Sequence, residues 1–439
     1  MEQLKTISLP GRFSPGSSLP WSNHRKIAFR FAFLFFLLFI FLTPNSVLPY
    51  SDALLDWYPL LFSKPIIWMG HHLLGISGPV NTAQTGSGDR IYDILKVFFV
   101  ILVATLGAVL WTLTDRRRTS YNTLRYWLIV LVRYYLAIIL IKYGSGKIVK
   151  MQFPFPGLSG LLFNYGDSSP FRLAWYFFGY SKGYNYFMGF SECLCGVLLL
   201  FRRTQRLGSL LSLTVVLNII AINYNYDICV KLYSTFLGLS ALFLLWQNWR
   251  AQLNFFLLNR TADSEPDLQP LFHREWLRKG LPPFKYIFLL LVTAGLFSES
   301  VTNRNAYGDG APHPPLYGIY EVQTFVKNKD TLAPLITDTL RWRKFIVATK
   351  EYIVVRSMDD RSKVYSYTLD SVKRKLELFS PDDTAKRSYL DYSLTGKEGL
   401  LLRGNLWTDT VSILLKEFDL KKFRLMDQDF HFINETPPH

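Results

Sequence analysis

The run from Val97 to Thr114, VFFVILVATLGAVLWTLT, passes eighteen residues without a charge, and a second uncharged run extends from Leu232 to Trp249. A hydrocarbon core about 30 Å thick takes roughly 20 residues of helix, because only a helix satisfies its own backbone polar groups where water is absent. Seven segments approach that requirement: 26–48, 92–114, 122–146, 183–201, 206–225, 229–249 and 284–300. The first and last are short and need Arg30 or Lys285 to snorkel toward polar surroundings. The expected fold class is therefore a mainly α membrane protein, a bundle of about seven transmembrane helices, and not a soluble enzyme.

Among the 439 residues the charge is uneven, with a formal net value of +16 from 49 basic and 33 acidic side chains. A nucleic-acid partner is excluded, because the basic residues gather in short clusters beside apolar runs and form no contiguous basic face with a binding motif. The partner such clusters imply is the bilayer, since lysine and arginine beside a span are retained on the cytoplasmic side. With the N-terminus inside, the inner loops receive Arg25 and Lys26, then Arg116, Arg117, Arg118 and Arg125, then Arg202, Arg203 and Arg206, then Arg250, Arg260, Arg274, Arg278, Lys279 and Lys285. Lys147, Lys150, Arg172 and Lys182 fall on the outer side as exceptions. An odd number of spans then leaves everything after about residue 300 outside the cytoplasm.

This divides the chain into a cytoplasmic segment 1–25, a bundle 26–300 with an outer interfacial segment 50–90, and an extracytoplasmic domain 301–439. Within the outer segment, Trp57–Ile76 is apolar and aromatic but broken by Pro59, Lys64 and Pro65, which predicts one or two short helices at the interface. The stretch Met151–Pro156, with Gly157 and Gly160, cannot be helical throughout and is a candidate re-entrant segment. After residue 300, apolar and polar residues alternate in Phe345–Thr349, Tyr352–Ser357, Val364–Leu369, Val372–Phe379, Tyr389–Leu394, Leu400–Arg403 and Val411–Leu415. Alternation at that spacing predicts an antiparallel β domain, a small barrel or a sandwich.

Ionisable residues inside spans are expensive, and two stand out, Arg133 and Glu192. Counted from Arg125 and Arg202, they lie roughly 12 and 15 Å along their helices, so they are expected to face one another as an ion pair or across a polar cavity. Mutual neutralisation that fixes helix register is the alternative. A second polar set, Lys142, Lys147, Asn218, Asn223, Asp227 and Lys231, gathers at the outer ends. Asp227 and Lys231 are four apart and pair locally, so the set is either a charge-balanced turn or the lip of an outward pocket. The tyrosines around it, Tyr143, Tyr165, Tyr184, Tyr186, Tyr224 and Tyr226, also suit an interfacial belt. Gly86–Asp89 reads as a tight turn capping a helix and not as a phosphate loop. His71 and His72 are adjacent without a third ligand, and Cys193, Cys195 and Cys229 form neither a disulfide framework nor a metal knuckle. No nucleophile stands with a base.

Residues Gly189–Arg203, GFSECLCGVLLLFRR, resemble the G-x-x-E-x-x-x-G-x-L-L-L signature of the DoxX-like family of bacterial integral membrane proteins, and Tyr143–Pro154 resembles the glycine and lysine element that ends the preceding helix there. GSGD, SPFRLAWYFFGYS, NYNYDICVKLYS, LYGIYEV and FHFINETP together are similar to the larger Bacteroidetes-type version with an extra C-terminal domain. The resemblance implies a four-helix core, a bacterial inner-membrane location, and functional roles for Glu192 and Lys147. Some members of the family serve thiosulfate:quinone oxidoreductases or other membrane redox complexes, although this chain lacks a redox cysteine pair.

Three functions follow as expectations. The first is a ligand-binding or assembly subunit of a membrane complex, taking a lipid, a quinone or a partner helix and docking membrane or periplasmic proteins. The second is an interfacial enzyme with Glu192 as proton acceptor and Arg133 or Lys147 holding an anionic substrate. The third is a transporter, which requires paired discontinuous helices.

Overall fold

The computed structural model describes residues 20–45, 47–51, 57–83, 85–247, 249–261, 275–383, 386–427 and 432–433. The expected cytoplasmic segment before residue 20 and most of the FHFINETP motif lie outside these residues. The chain forms two compact units, one comprising residues up to 153 together with 170–304, the other 154–169 together with those from 305 onward.

The first unit is helical. Its principal helices are α1 (Asn23–Leu42), α2 (Ser63–Leu73), α3 (Ile91–Thr114), α4 (Asn122–Ile148), α5 (Pro170–Tyr180), α6 (Lys182–Leu200), α7 (Gln205–Asn225), α8 (Lys231–Trp246), α9 (Trp249–Phe256) and α10 (Glu275–Tyr307). Helices stand at all seven expected positions, but among the described residues only α3, α4, α7 and Pro283–Tyr307 of α10 are long and apolar enough to cross a membrane. The expected count of about seven is corrected accordingly. Helix α8 has 16 residues, roughly 24 Å of rise. Arg25, Lys26 and Arg30 interrupt α1, and Lys182, Asn185 and Glu192 interrupt α6. The outward face of α3 is apolar, with Leu106, Leu110 and Leu113 all more than half exposed, a surface suited to lipid.

Helix α4 is central, with Val132, Leu136, Ala137, Ile139, Leu140 and Ile141 fully enclosed. Glycines set its packing against the antiparallel α6. A Cβ added at Gly189 would lie 2.6 Å from the Gly144 carbonyl oxygen, and one at Gly196 would lie 2.7 Å from that of Ala137. Small residues at such a seam let backbones meet and so fix the register. Across the bundle, Phe39 of α1 stacks on Phe236 of α8 with ring centroids 3.7 Å apart.

Arg30 does not snorkel outward. It is buried and donates from Nε to the Tyr121 hydroxyl (3.0 Å), from one terminal nitrogen to Thr112 Oγ1 (2.8 Å) and from the other to the Asp115 carbonyl (2.7 Å). A short 3₁₀ turn, Tyr58–Phe62, and α2 occupy the region expected to hold short helices.

The second unit is an antiparallel barrel of β1 (Gly318–Lys327), β2 (Asp330–Thr331), β3 (Trp342–Val347), β4 (Tyr352–Ser357), β5 (Ser362–Asp370), β6 (Lys375–Phe379), β7 (Arg387–Thr395), β8 (Gly399–Leu406) and β9 (Asp409–Glu417). From β3 to β9 each strand pairs with the next, and β1 closes the barrel by pairing with both β3 and β9. The short β2 folds back on β1 through Asn328 and Lys329, both at positive φ, the backbone of a tight hairpin turn. Eight closing strands enclose a space that side chains fill, here Phe345, Ile353, Leu378, Leu400, Leu402 and Ile413, all fully buried.

Two boundaries differ from expectation. Helix α10 continues to Tyr307, past residue 300. Residues 154–169, expected within the bundle and in part re-entrant, belong to the barrel unit. Leu158 is buried there with Ile319, Ile346 and Val354, the Phe155 amide donates to Asp309 Oδ1 (2.8 Å), and Arg356 donates to the Leu162 carbonyl (2.8 Å).

Candidate functional site

At one end of the helical unit α1 and α4 finish while α3 and α8 begin. Gly86–Asp89 shapes this end by capping α8, not the α3 helix that follows it. Asp89 accepts from the Lys231 and Leu232 amides (2.8 and 3.0 Å), and the Gly88 amide donates to the Cys229 carbonyl (2.8 Å). Two of the free N–H groups that begin a helix thus gain a carboxylate, which also suits the helix dipole.

Beneath this loop lies a cavity of about 380 Å³. Its charged wall is one face of the first turns of α3. Asp93 accepts from Arg90 Nε (2.8 Å) and lies 3.2 Å from Lys96 Nζ, so one carboxylate is shared by two cations and the trio keeps a net positive charge. Arg90 also donates to the Ala83 carbonyl. Tyr143 and Tyr233 supply phenol hydroxyls, and Phe39, Leu42, Val97 and Val100 supply an apolar wall. The Tyr135 hydroxyl donates to the Thr43 carbonyl (2.9 Å), so the Tyr233 hydroxyl, 2.9 Å away, donates to Tyr135 and presents its oxygen as an acceptor. The Asn45 side chain, also in the wall, is the hydrogen-bonding neighbour of both Tyr143 and Tyr233.

Behind Tyr143 lies the pair that the sequence partly anticipated. Lys147 Nζ donates to Glu192 Oε2 over 2.8 Å, both side chains are buried, and the same ammonium stands 5.7 Å from the Tyr143 ring centroid. Glu192 is not among the residues that line the cavity, whereas Tyr143, whose ring the Lys147 ammonium approaches, is. The expected pairing of Glu192 with Arg133 is therefore wrong. The glycine seam places Gly144 opposite Gly189 and Cys193, which brings Glu192 beside the last turns of α4. Arg133 falls near the far end of α6, buried, and donates to Gln205 Oε1 (2.8 Å) at the start of α7, with Tyr134 under its guanidinium.

The remaining candidates scatter. Asn218 is exposed on α7. Asn223 is buried with no partner for its Nδ2. Asp227, largely exposed, pairs with Lys231 at 2.7 Å, and Lys231 lies 3.7 Å from Asp89, so the turn holds one lysine between two carboxylates beside the cavity lining at Val230 and Leu232. Lys142 donates to the Asn45 carbonyl (3.3 Å). His71 and His72 each engage a backbone carbonyl, those of Ile76 and Trp68. Among the described residues no group of three or more His, Cys, Asp or Glu is placed to hold a metal ion.

Arg90, Asp93 and Lys96 were missed as a unit. Their signal was present in RIYDILK, where an acid stands three residues from a base on either side, the spacing that shares a helix face. Chemically the site offers two cations and hydroxyls beside an apolar wall, which suits an amphipathic molecule with an anionic or acceptor-rich head.

A protein of Bacillus subtilis (strain 168), "Uncharacterized protein YwoB", is 40% identical over 133 residues, covering 28% of this chain and 79% of the relative. No family profile matches the chain, and no solved structure is similar to it.

Proposed function

The chain belongs to the family of YwoB, and we propose that it is a multi-pass protein of the bacterial inner membrane that binds a lipid or quinone in the Arg90–Tyr143 cavity, as a ligand-binding or assembly subunit of a membrane complex. In this reading the N-terminus is cytoplasmic and the cavity opens toward the outer leaflet. The barrel lies on the periplasmic side, where it docks a partner protein. The layout is DoxX-like, with the Lys147–Glu192 pair as the buried element behind the ligand.

The single observation that carries this reading is a cavity of about 380 Å³ with two cations on one wall and apolar side chains on another. A catalytic role for Glu192 is not supported, because Lys147 occupies its carboxylate and Glu192 does not line the cavity. A transporter calls for paired broken helices, whereas α3, α4 and α7 run unbroken.

The test is mass spectrometry of amphiphiles that co-purify in mild detergent. The expected result is one lipid or quinone species retained by the protein and reduced roughly 25-fold in Arg90→Gln/Lys96→Gln, about fivefold for each cation. An unselective lipid profile that the double substitution leaves unchanged overturns the reading.

A further inference from the structure

At the opposite end of the helical unit, where α1 and α4 begin and α8 gives way to α9, a second cavity of about 600 Å³ opens. Three arginines from separate segments line it, Arg25, Arg125 and Arg250, and no acidic residue is among the side chains that do. Tryptophans accompany them. Arg25 lies 4.4 Å above the Trp21 ring, Arg250 lies 5.5 Å from the Trp249 ring, and Trp249 stacks on Trp246. Arg125 is oriented by Gln247, whose Oε1 accepts from its Nε at 2.9 Å. Away from the guanidinium groups the lining turns apolar. Ala28 and Ala32, on successive turns of α1, and Phe243 of α8 supply this part of the lining.

We propose that this cavity binds the phosphate of an anionic phospholipid, with the guanidinium groups around the headgroup and the start of an acyl chain against the apolar lining at Ala28, Ala32 and Phe243. Guanidinium groups match phosphate oxygens in bidentate geometry. Tryptophan and arginine together mark the level at which headgroups lie, and basic pockets between helices on the cytoplasmic side take anionic lipids. A free phosphate ion would satisfy the arginines but leave the apolar half of the cavity uncovered. This site is separate from the Arg90–Tyr143 cavity and goes beyond the function proposed for that end.

The experiment uses the full-length protein, delipidated in detergent and then given phosphatidylglycerol, phosphatidylcholine or inorganic phosphate, with lipid retention read by native mass spectrometry. Phosphatidylglycerol is expected to be retained in preference to phosphatidylcholine. Arg25→Gln/Arg250→Gln is expected to weaken phosphatidylglycerol retention roughly 25-fold, about fivefold for each arginine, and to leave phosphatidylcholine unchanged. Both side chains are exposed, and should Arg25→Gln disturb the first turn of α1, Arg250→Gln alone reads the roughly fivefold step. Equal retention of the two lipids, or no change in the substituted protein, overturns the proposal. Displacement of phosphatidylglycerol by millimolar inorganic phosphate identifies a site for the free anion and overturns it equally. The Arg90→Gln/Lys96→Gln protein should retain phosphatidylglycerol normally here, so the two cavities fail or succeed separately.

Discussion

Lys147 and Glu192 meet at 2.8 Å between α4 and α6, the ammonium and the carboxylate each buried and each the other's ionic partner. Forty-five residues apart in the chain, they are brought together by a seam of glycines that leaves room for backbone and nothing more. A buried ion pair adds little net stability over an apolar pair, yet losing one partner strands a charge. Glu192→Gln or Lys147→Met alone is expected to cost about 3–5 kcal/mol, and the double substitution markedly less than the sum. Thermal unfolding in detergent, followed by gel filtration, reads the cycle. Additive losses would show that the two side chains act independently.

Gly189→Ala tests the seam itself. The new Cβ would meet the Gly144 carbonyl oxygen at 2.6 Å and the Ile148 amide nitrogen at 2.9 Å, and backbone atoms cannot swing aside. The expected cost is about 1–3 kcal/mol, with loss of the Lys147–Glu192 contact as α4 and α6 separate. Gly157→Ala, where a Cβ meets nothing within 4 Å, is the control and should leave thermal stability unchanged.

Arg30 gives a third prediction. Its guanidinium is buried, and the Tyr121 hydroxyl accepts from two of its nitrogens. Tyr121→Phe removes that acceptor and keeps the ring against Phe29 and Trp111. A hydrogen bond to a charged group carries about 1.5–3 kcal/mol, and the loss should lower the unfolding temperature in detergent accordingly. An unchanged temperature would mean that Arg30 finds its acceptors elsewhere.

The closing seam of the barrel has a pH dependence of definite sign. Hydrogen bonds from Lys327, and then from Asn328, hold the Asp409 carboxyl below its ordinary value of 3.8. A depressed folded value means that the unfolded chain binds the proton first, so the stabilisation is present above the ordinary value and disappears as pH falls through the lower one. Hydrogen exchange at the β1–β9 amides should therefore be slower in the native protein than in Asp409→Ala near neutral pH, and the two should converge in acid. A difference that persists unchanged in acid would remove the carboxylate from the seam.

Much of the architecture was legible because it follows from solvent. Eighteen uncharged residues from Val97 to Thr114 admit few fates, and helix α3 occupies them; alternation from Phe345 to Leu415 announced strands that β3 to β9 fulfil. Strand β1 was missed because a bulge between Val322 and Thr324 breaks its alternation and because Ile319 and Tyr320, on opposite faces, are both buried. Val372, read as part of a strand, is almost wholly exposed before β6 begins at Lys375. At the site, helical rise counted from Arg125 and Arg202 set Arg133 and Glu192 level, whereas the seam that puts Ala137 against Gly196 and Gly144 against Gly189 sets Glu192 about two turns beyond Arg133 along α4. Depth is a property of one helix, whereas partnership depends on two, and the glycines that decide it act through backbone contacts that no spacing within one segment reveals.

The most direct test of the account is a sided labelling map in intact spheroplasts. In a background with Cys193, Cys195 and Cys229 replaced by serine, single cysteines are placed at Val372, 94% exposed in the barrel, and at Arg117, between α3 and α4. A membrane-impermeant maleimide is expected to label the cysteine at 372 in intact spheroplasts and the one at 117 only after permeabilisation. Protection of the barrel cysteine, or labelling of both without permeabilisation, would contradict a chain threaded through the bilayer with its barrel outside.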